Sequence, residues 1–317
     1  MNRNIFLCVF FCFSVQFLGS AEKTWDKKYA EGKLHFLVAN DTGRNGYYDQ
    51  PQIAEIMGEY ATDLRPMGVL SPGDIHHFEG IQSIMDPLWL TNFEMVYKHP
   101  DLMIEWYPVC GNHEYRGNPD AMIEYSNISR RWEMPARYYS KTFSKKGVKM
   151  KVIFIDTTPL IDINRNIEEG YGDASIQNIE EQLNWLENVL AEPTDADWTI
   201  VVGHHPIYAD SPKRAEEQTD LQTRLDPYLR KYNIDMYICG HIHNFQHIRK
   251  EGTNIDYILN SSASQAREEV KEVDGTQFCQ GITGFGILSV GKDKLQYHMI
   301  DKNGNLINTV ERIKQKL

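Results

Sequence analysis

The chain has 317 residues, of which 41% are hydrophobic, 24% charged and 11% aromatic, the make-up of a globular protein able to bury a full core rather than a fibrous or disordered one. Its formal charge of −11 at pH 7 excludes a global attraction for nucleic acid or anionic lipid. The length admits one large α/β domain or two small ones.

Arg3 is the only charge ahead of an apolar stretch at residues 5–18, and the small residues Gly19, Ser20 and Ala21 follow. This is the layout of a secretory signal peptide, residues 1–21, cleaved after Ala21. Ser14 and Gln16 shorten the run below the roughly 20 residues that a retained membrane span needs. Phe6 and Leu7 precede Cys8 where a lipoprotein would carry a small residue. The expectation is an exported protein, periplasmic or extracellular, with one domain over residues 22–317 and no stable membrane span after cleavage. Removing the leader takes away one Arg and moves the formal charge from −11 to −12. The three cysteines that remain, Cys110, Cys239 and Cys279, imply no full disulfide framework, because an odd number leaves at least one thiol free.

Five short apolar runs are spaced along the chain. Residues 34–39 lead to Asp41 and Gly43, and a helical pattern follows at 53–64. Residues 68–70 lead to Ser71, Pro72, Gly73 and Asp74. Residues 106–110 lead to Gly111, Asn112, His113 and Glu114. A helix at 179–190 places Ile179, Leu183, Leu186 and Leu190 on one face. Residues 198–202 lead to Gly203, His204, His205 and Pro206, and a third helix is expected at 221–231. Residues 236–239 lead to Gly240, His241, Ile242 and His243. The tail reads as short strands at 286–290, 295–300 and 306–310, the last two joined through the hairpin signal Asn303-Gly304.

Apolar runs bounded by Gly or Pro read as buried strands, and their alternation with helices argues for an α/β architecture. Turns at the carboxyl ends of such strands converge on one site. Asp, Asn and His are the ligands expected for two first-row metal ions, since borderline cations accept imidazole nitrogen and hard ones accept carboxylate oxygen. Asn adds an oxygen ligand without adding charge, leaving the pair net positive toward a phosphate dianion. In so acidic a chain the positive potential has to be local, and bound cations supply it.

In order and spacing, Gly73-Asp74, Gly111-Asn112-His113-Glu114, Gly203-His204 and Gly240-His241-Ile242-His243 resemble the motifs of the calcineurin-like metallophosphoesterases. Within that superfamily the chain is most similar to the tartrate-resistant (purple) acid phosphatases, whose first motif likewise has Asp followed by no His. The similarity spans residues 34–300. It implies a four-layer α/β/β/α sandwich of two mixed sheets flanked by helices, and two metal ions drawn from Fe, Zn or Mn. It also implies one ion held by Asp41, Asp74 and His243 and another by Asp74, Asn112, His204 and His241, with Asp74 as the bridge. His113 is then the general acid beside the leaving-group oxygen and Glu114 orients it. Asn112, His205 and Arg116 are the candidates for binding substrate.

Three departures qualify the resemblance. His77 stands where the family has a Tyr three residues after the bridging Asp, so an imidazole is expected in the first metal's shell and a ferric, purple site is not. The competing arrangement turns His76 inward and His77 to solvent. Asn40-Asp41-Thr42-Gly43 replaces Gly-Asp-Trp-Gly, and no His follows His204 by nine residues, leaving Lys213 or Arg214 to serve the phosphate. For Tyr115, His76 and His247 structural roles are expected. The activity implied is hydrolysis of small-molecule phosphate monoesters, in which the ion pair activates a water for in-line attack. A phosphodiesterase or nucleotide hydrolase with the same metals stays open at this point, since substrate choice lies in the loops at 44–50, 77–87 and 208–219. A non-catalytic metal- or phosphate-binding module is disfavoured, because a purely structural cage has no need of His113.

Overall fold

The computed structural model describes residues 32, 34–166 and 171–314; the leader expected at residues 1–21 lies outside them. Each apolar run marked above from residue 34 onward contributes a strand. Among the described residues the strands are β1 (Leu34–Val38), β2 (Val69–Ser71), β3 (Trp106–Pro108), β4 (Tyr139–Lys145), β5 (Val148–Phe154), β6 (Trp198–Val202), β7 (Met236–Cys239), β8 (Phe245–Ile248), β9 (Asp256–Leu259), β10 (Thr276–Gln280), β11 (Gly284–Val290), β12 (Lys294–Asp301) and β13 (Leu306–Ile313). The α-helices are α1 (Gln50–Leu64), α2 (Pro119–Glu124), α3 (Gly172–Ile176), α4 (Ile179–Ala191), α5 (Ala215–Arg224) and α6 (Asp226–Lys231).

The strands build two mixed sheets flanked by helices, in the orders β13-β12-β11-β1-β2-β3 and β10-β8-β9-β7-β6-β5-β4. The expected four-layer sandwich is the architecture found. β1, β2 and β3 run parallel, and the tail joins them through β11, antiparallel to β1 with Leu34 opposite Val290. Period-two alternation assigns the faces of β6. Ile200 and Val202 pack in the core shared with Phe36 and Ile287, whereas Val201 packs with Leu186 of α4, Leu221 of α5 and Leu229 of α6.

Helix α4 follows its expected register, with Asn178 as N-cap accepting from the Glu181 N–H at 3.2 Å. The single helix expected at 221–231 is corrected to two. Pro227 lies in the first turn of α6, where its missing N–H is harmless, and the chain breaks ahead of it. The β4–β5 hairpin escaped the pattern because β4 buries only Tyr139 and Phe143 among polar neighbours. No helix among the described residues is long and apolar enough to cross a membrane.

Turns from both sheets meet at one place. The Asp41 N–H donates to Gly73 O at 3.0 Å, the His241 N–H donates to the Asp41 carboxylate at 2.9 Å, and His204 Nδ1 donates to Pro72 O at 2.7 Å. The turns after β1 and β2 thereby join those after β6 and β7, and the turn after β3 joins them where the His113 N–H donates to Asp74 Oδ1 at 2.9 Å.

Candidate metal centre

Four of the expected ligands occupy left-handed backbone: Asp41 (φ 52°), Asp74 (φ 53°), His241 (φ 75°) and His243 (φ 65°). Such a conformation costs a non-glycine residue about 1–3 kcal/mol and persists only where its surroundings impose it. For Asp41 the constraint comes from the Ser262 and Ser264 hydroxyls, which donate to its carbonyl at 2.8 and 2.6 Å. For Asp74 it comes from Glu114. The buried Glu114 carboxylate accepts from four backbone N–H groups: Asp74 at 2.9 Å, Ile75 at 2.8 Å, His76 at 3.0 Å and Gly111 at 2.7 Å. Gly111 is required at its position, since a Cβ there would lie 2.1 Å from Asp74 Oδ1.

The expectation that Glu114 orients the His113 ring is therefore corrected. Both Glu114 oxygens are committed to the loop carrying Asp74, and the His113 ring is held instead by the carbonyl of Phe78, 2.7 Å from Nδ1. Glu114 is a positioning residue for the Asp74 turn.

Three other imidazoles are tied in the same way. His204 Nδ1 bonds Pro72 O at 2.7 Å, His241 Nε2 bonds Glu217 Oε2 at 3.0 Å, and His243 Nδ1 bonds Gln265 O at 2.8 Å. Carbonyls and carboxylates only accept, so these outer nitrogens carry the hydrogens and the inner nitrogens of the neutral rings present lone pairs. The lone pairs face further acceptors. His204 Nε2 lies 3.1 Å from Asp74 Oδ2, 3.3 Å from Asn112 Oδ1 and 3.2 Å from His241 Nδ1, and His243 Nε2 lies 3.0 Å from Asp41 Oδ1. The Asn112 amide donates to Tyr171 Oη at 3.0 Å, which turns its oxygen toward the cluster.

Acceptors this close repel unless a proton or a cation lies among them. Burial lowers the His204 pKa, but the Asp74 carboxylate outweighs it and pushes the ring up to about 9, so a proton is drawn in wherever a cation is not. The donors fall into two sets, Asp41 with His77 and His243, and His204 with His205 and His241, each with its donor atoms within 4.8 Å of one another. Two further groupings, Asp41 with Asp74 and His204, and Asp74 with His77 and His113, share residues with them. Buried atoms without a hydrogen-bond partner among the described residues include Asp41 Oδ1, both ring nitrogens of His77 and His205 Nε2. This donor set fits two cations.

His77, rather than His76, turns into the cluster, its Nε2 3.5 Å from Asp74 Oδ2. Burial holds it well below the ordinary histidine range, neutral and free to offer a lone pair. His76 packs edge-on against Trp89 and accepts from Asn92. His205, expected at the substrate, is fully buried, its ring centroid 4.3 Å from that of His241 and its Nδ1 2.9 Å from Thr157 Oγ1. That place is corrected to one among the ligand rings. Arg116 is exposed and bonds Tyr171 Oη at 3.2 Å, so its tie to the site runs through Tyr171 and Asn112. Tyr115 donates to Asp156 and His247 pairs with Asp256 at 2.8 Å, structural roles as expected.

Sequence reasoning missed Glu217, Tyr171, Arg44 and Arg267. Glu217 lies in the first turn of α5, where an acidic residue looks like an ordinary helix-start charge. Lys213 is held below the ordinary lysine value by burial and by Arg267, while Glu217, Asp74 and Asp41 oppose the shift. Burial lowers the Arg44 pKa as well, with Asp41 and Asp74 opposing the shift and Arg267 adding to it.

The calcineurin-like phosphoesterase family model matches residues 34–245. Purple acid phosphatase 3 of Arabidopsis thaliana is 30% identical over 279 residues, covering 85% of this chain and 74% of that protein. Tartrate-resistant acid phosphatase type 5 of Oryctolagus cuniculus is 30% identical over 249 residues, covering 74% of this chain and 75% of that protein. Among solved structures, GAP50, the anchor in the inner membrane complex of Plasmodium, superposes with a TM-score of 0.77 at 24% identity, over 90% of each chain, and shares the fold. The chain belongs to the calcineurin-like phosphoesterase family, on its purple acid phosphatase branch, and is a dinuclear-metal phosphoric ester hydrolase.

Proposed function

We propose that the chain hydrolyses small phosphate monoesters outside the cytoplasm, with Asp41, Asp74, His77 and His243 holding one metal ion and Asp74, Asn112, His204 and His241 the other. The observation that carries this reading is the convergence of imidazole lone pairs and carboxylate oxygens, with the outer nitrogens of His204, His241 and His243 each tied to an acceptor. Two ions there would polarise a phosphoryl oxygen and lower the pKa of a water.

The chain's own residues do the rest. Glu114 holds Asp74 where it reaches both donor sets, and Glu217 fixes the tautomer and angle of His241. Tyr171 keeps the Asn112 oxygen inward. His113 has its Nδ1 held by Phe78 O, so Nε2 is the atom that moves a proton, and its half-buried ring is open to a leaving-group oxygen. Arg44, Lys213 and Arg267 concentrate positive charge for a dianion. The apolar stretch at residues 5–18, followed by Gly19, Ser20 and Ala21, supports export and a role in releasing phosphate from extracytoplasmic esters. Metal analysis with a phosphate monoester assay tests the reading. Asp74→Asn lowers bound metal from two ions toward one or none and abolishes turnover, and full metal content with near-normal rate in that variant would overturn the assignment. Comparing an aryl monoester with an aryl diester separates monoesterase from diesterase.

A further inference from the structure

The Tyr171 hydroxyl stands at the edge of the second donor set with its hydrogen uncommitted. Two neighbours donate to its oxygen, the Asn112 amide at 3.0 Å and Arg116 Nη2 at 3.2 Å. A guanidinium has no acceptor, and the Asn112 group that faces Tyr171 is an NH2, so in both bonds the phenol oxygen can only accept. Its own hydrogen is then left without an acceptor among the described residues, although Tyr171 is only 9% exposed. A donor so enclosed is costly to leave unmade, and a ligand oxygen satisfies it.

The ring is held from several sides. The Arg116 guanidinium carbon lies 5.4 Å from its centroid. Tyr171 is the N-cap of α3, and two arginines tie that helix down. Arg137 Nη2 lies 2.7 Å from Asp173 Oδ2. Arg165 donates to the carbonyls of Ala174, Gln177 and Ser175 at 3.1, 3.0 and 2.9 Å. Tyr171 is thereby a fixed wall of the centre.

The position of the hydroxyl identifies its acceptor. Asn112 Oδ1 lies 3.3 Å from His204 Nε2, so Tyr171 is one side chain removed from the second donor set. The His113 ring stands on the other flank, its centroid 4.1 Å from that of His77, which belongs to the first set. A phosphoryl group spanning the two sets therefore has His113 on one side and Tyr171 on the other. An O–H whose oxygen accepts from a guanidinium is polarised into a stronger donor, and the partner that rewards it most is an anionic oxygen.

We propose that Tyr171 contacts the substrate, its hydroxyl, polarised by Arg116, donating a hydrogen bond to a non-bridging phosphoryl oxygen on the Asn112 side of the centre. His113 serves the leaving oxygen and Tyr171 a non-bridging one. The hydrogen stays on Tyr171, so the contact stabilises negative charge without transferring a proton. This role rests on the phosphatase reading and is separate from the part Tyr171 plays in turning Asn112.

The test uses inorganic phosphate as the probe, titrated by calorimetry into manganese-saturated protein whose metal content is measured by elemental analysis, in wild type, Tyr171→Phe and Arg116→Gln. Tyr171→Phe keeps the ring and removes one hydroxyl, and phosphate binding weakens about 10- to 100-fold, the range of a hydrogen bond to a charged group. Arg116→Gln keeps the hydroxyl and removes the cation behind it, giving a smaller loss in the same direction. If Tyr171 only turns Asn112, Tyr171→Phe lowers metal affinity while the fully loaded variant binds phosphate as wild type does, and that result overturns the proposal. So does a Tyr171→Phe protein that cannot be filled to the metal content of wild type. A larger loss in Arg116→Gln than in Tyr171→Phe assigns the contact to Arg116 and overturns it as well. Absence of turnover on every ester in wild type would refute the phosphatase reading instead, while the phosphate titration still decides the role of Tyr171.

Discussion

Replacing Glu114 by Gln changes one oxygen into an NH2 group at a point where four backbone N–H donors converge. The two carboxylate oxygens divide the work evenly, Oε1 accepting from Ile75 and His76 and Oε2 from Asp74 and Gly111. Either orientation of the Gln amide therefore leaves two buried N–H groups facing another donor. At about 1–3 kcal/mol for each unsatisfied buried donor, the variant is destabilised by about 2–6 kcal/mol. In a domain of this size about 2 °C is lost per kcal/mol, so Tm falls by about 4–12 °C. The same loop holds Asp74 at its left-handed φ of 53°, so metal affinity drops about 10–100-fold, the usual loss on removing a partner that orients a ligand. Thermal unfolding with and without metal, beside a metal titration, reads both effects. Wild-type Tm and affinity in Glu114→Gln would refute the assignment. Loss of the alkaline limb of the kcat profile with metals intact would restore Glu114 as the orienter of His113, since a general acid is deprotonated as the pH rises.

His113→Ala leaves both metals bound and lowers kcat about 10²–10⁴-fold, with a smaller loss for esters of very acidic leaving groups; metal loss in this variant, measured by elemental analysis, would make His113 a ligand instead. His77→Ala weakens metal binding, and wild-type protein loaded with iron shows no visible tyrosinate-to-iron band, whereas His77→Tyr introduces one; unchanged affinity and rate in His77→Ala would remove it from the ligand set. Away from the centre, burial pushes His298 down to about 4, while the unfolded chain titrates near 6.5. Between these values the unfolded state binds the extra proton, so this contribution is present above pH 6.5 and is lost as the pH falls toward 4, a change of order 1–3 kcal/mol. His298→Gln flattens the dependence of Tm on pH across that window, and identical slopes in both proteins would show that His298 does not contribute.

Local pattern carried the elements and the ligand types. The runs before Asp41, Asp74, Asn112, His204 and His241 are strands because short apolar segments closed by Gly or Pro have no better way to bury themselves, and the turns after them stand at strand ends where side chains are free for chemistry. Helix α4 and the Asn303-Gly304 hairpin were legible for the same reason, each depending on residues within a few positions of one another. Residue type also states what a side chain can ligate, which is why His77 stood out where the family carries Tyr.

Orientation was beyond that reach. Which nitrogen of an imidazole faces the centre depends on the acceptor behind the other one, and those acceptors come from afar: Pro72 lies 132 positions from His204, Phe78 35 from His113, and Glu217 24 from His241. Glu114 resembled a partner for its neighbour His113, yet three N–H groups 38 to 40 positions away took its oxygens, because buried donors must be satisfied wherever the chain brings them. His205 went into the ligand cluster by the same rule: the sequence determined which groups were available, and the packing of two sheets determined which way each one points.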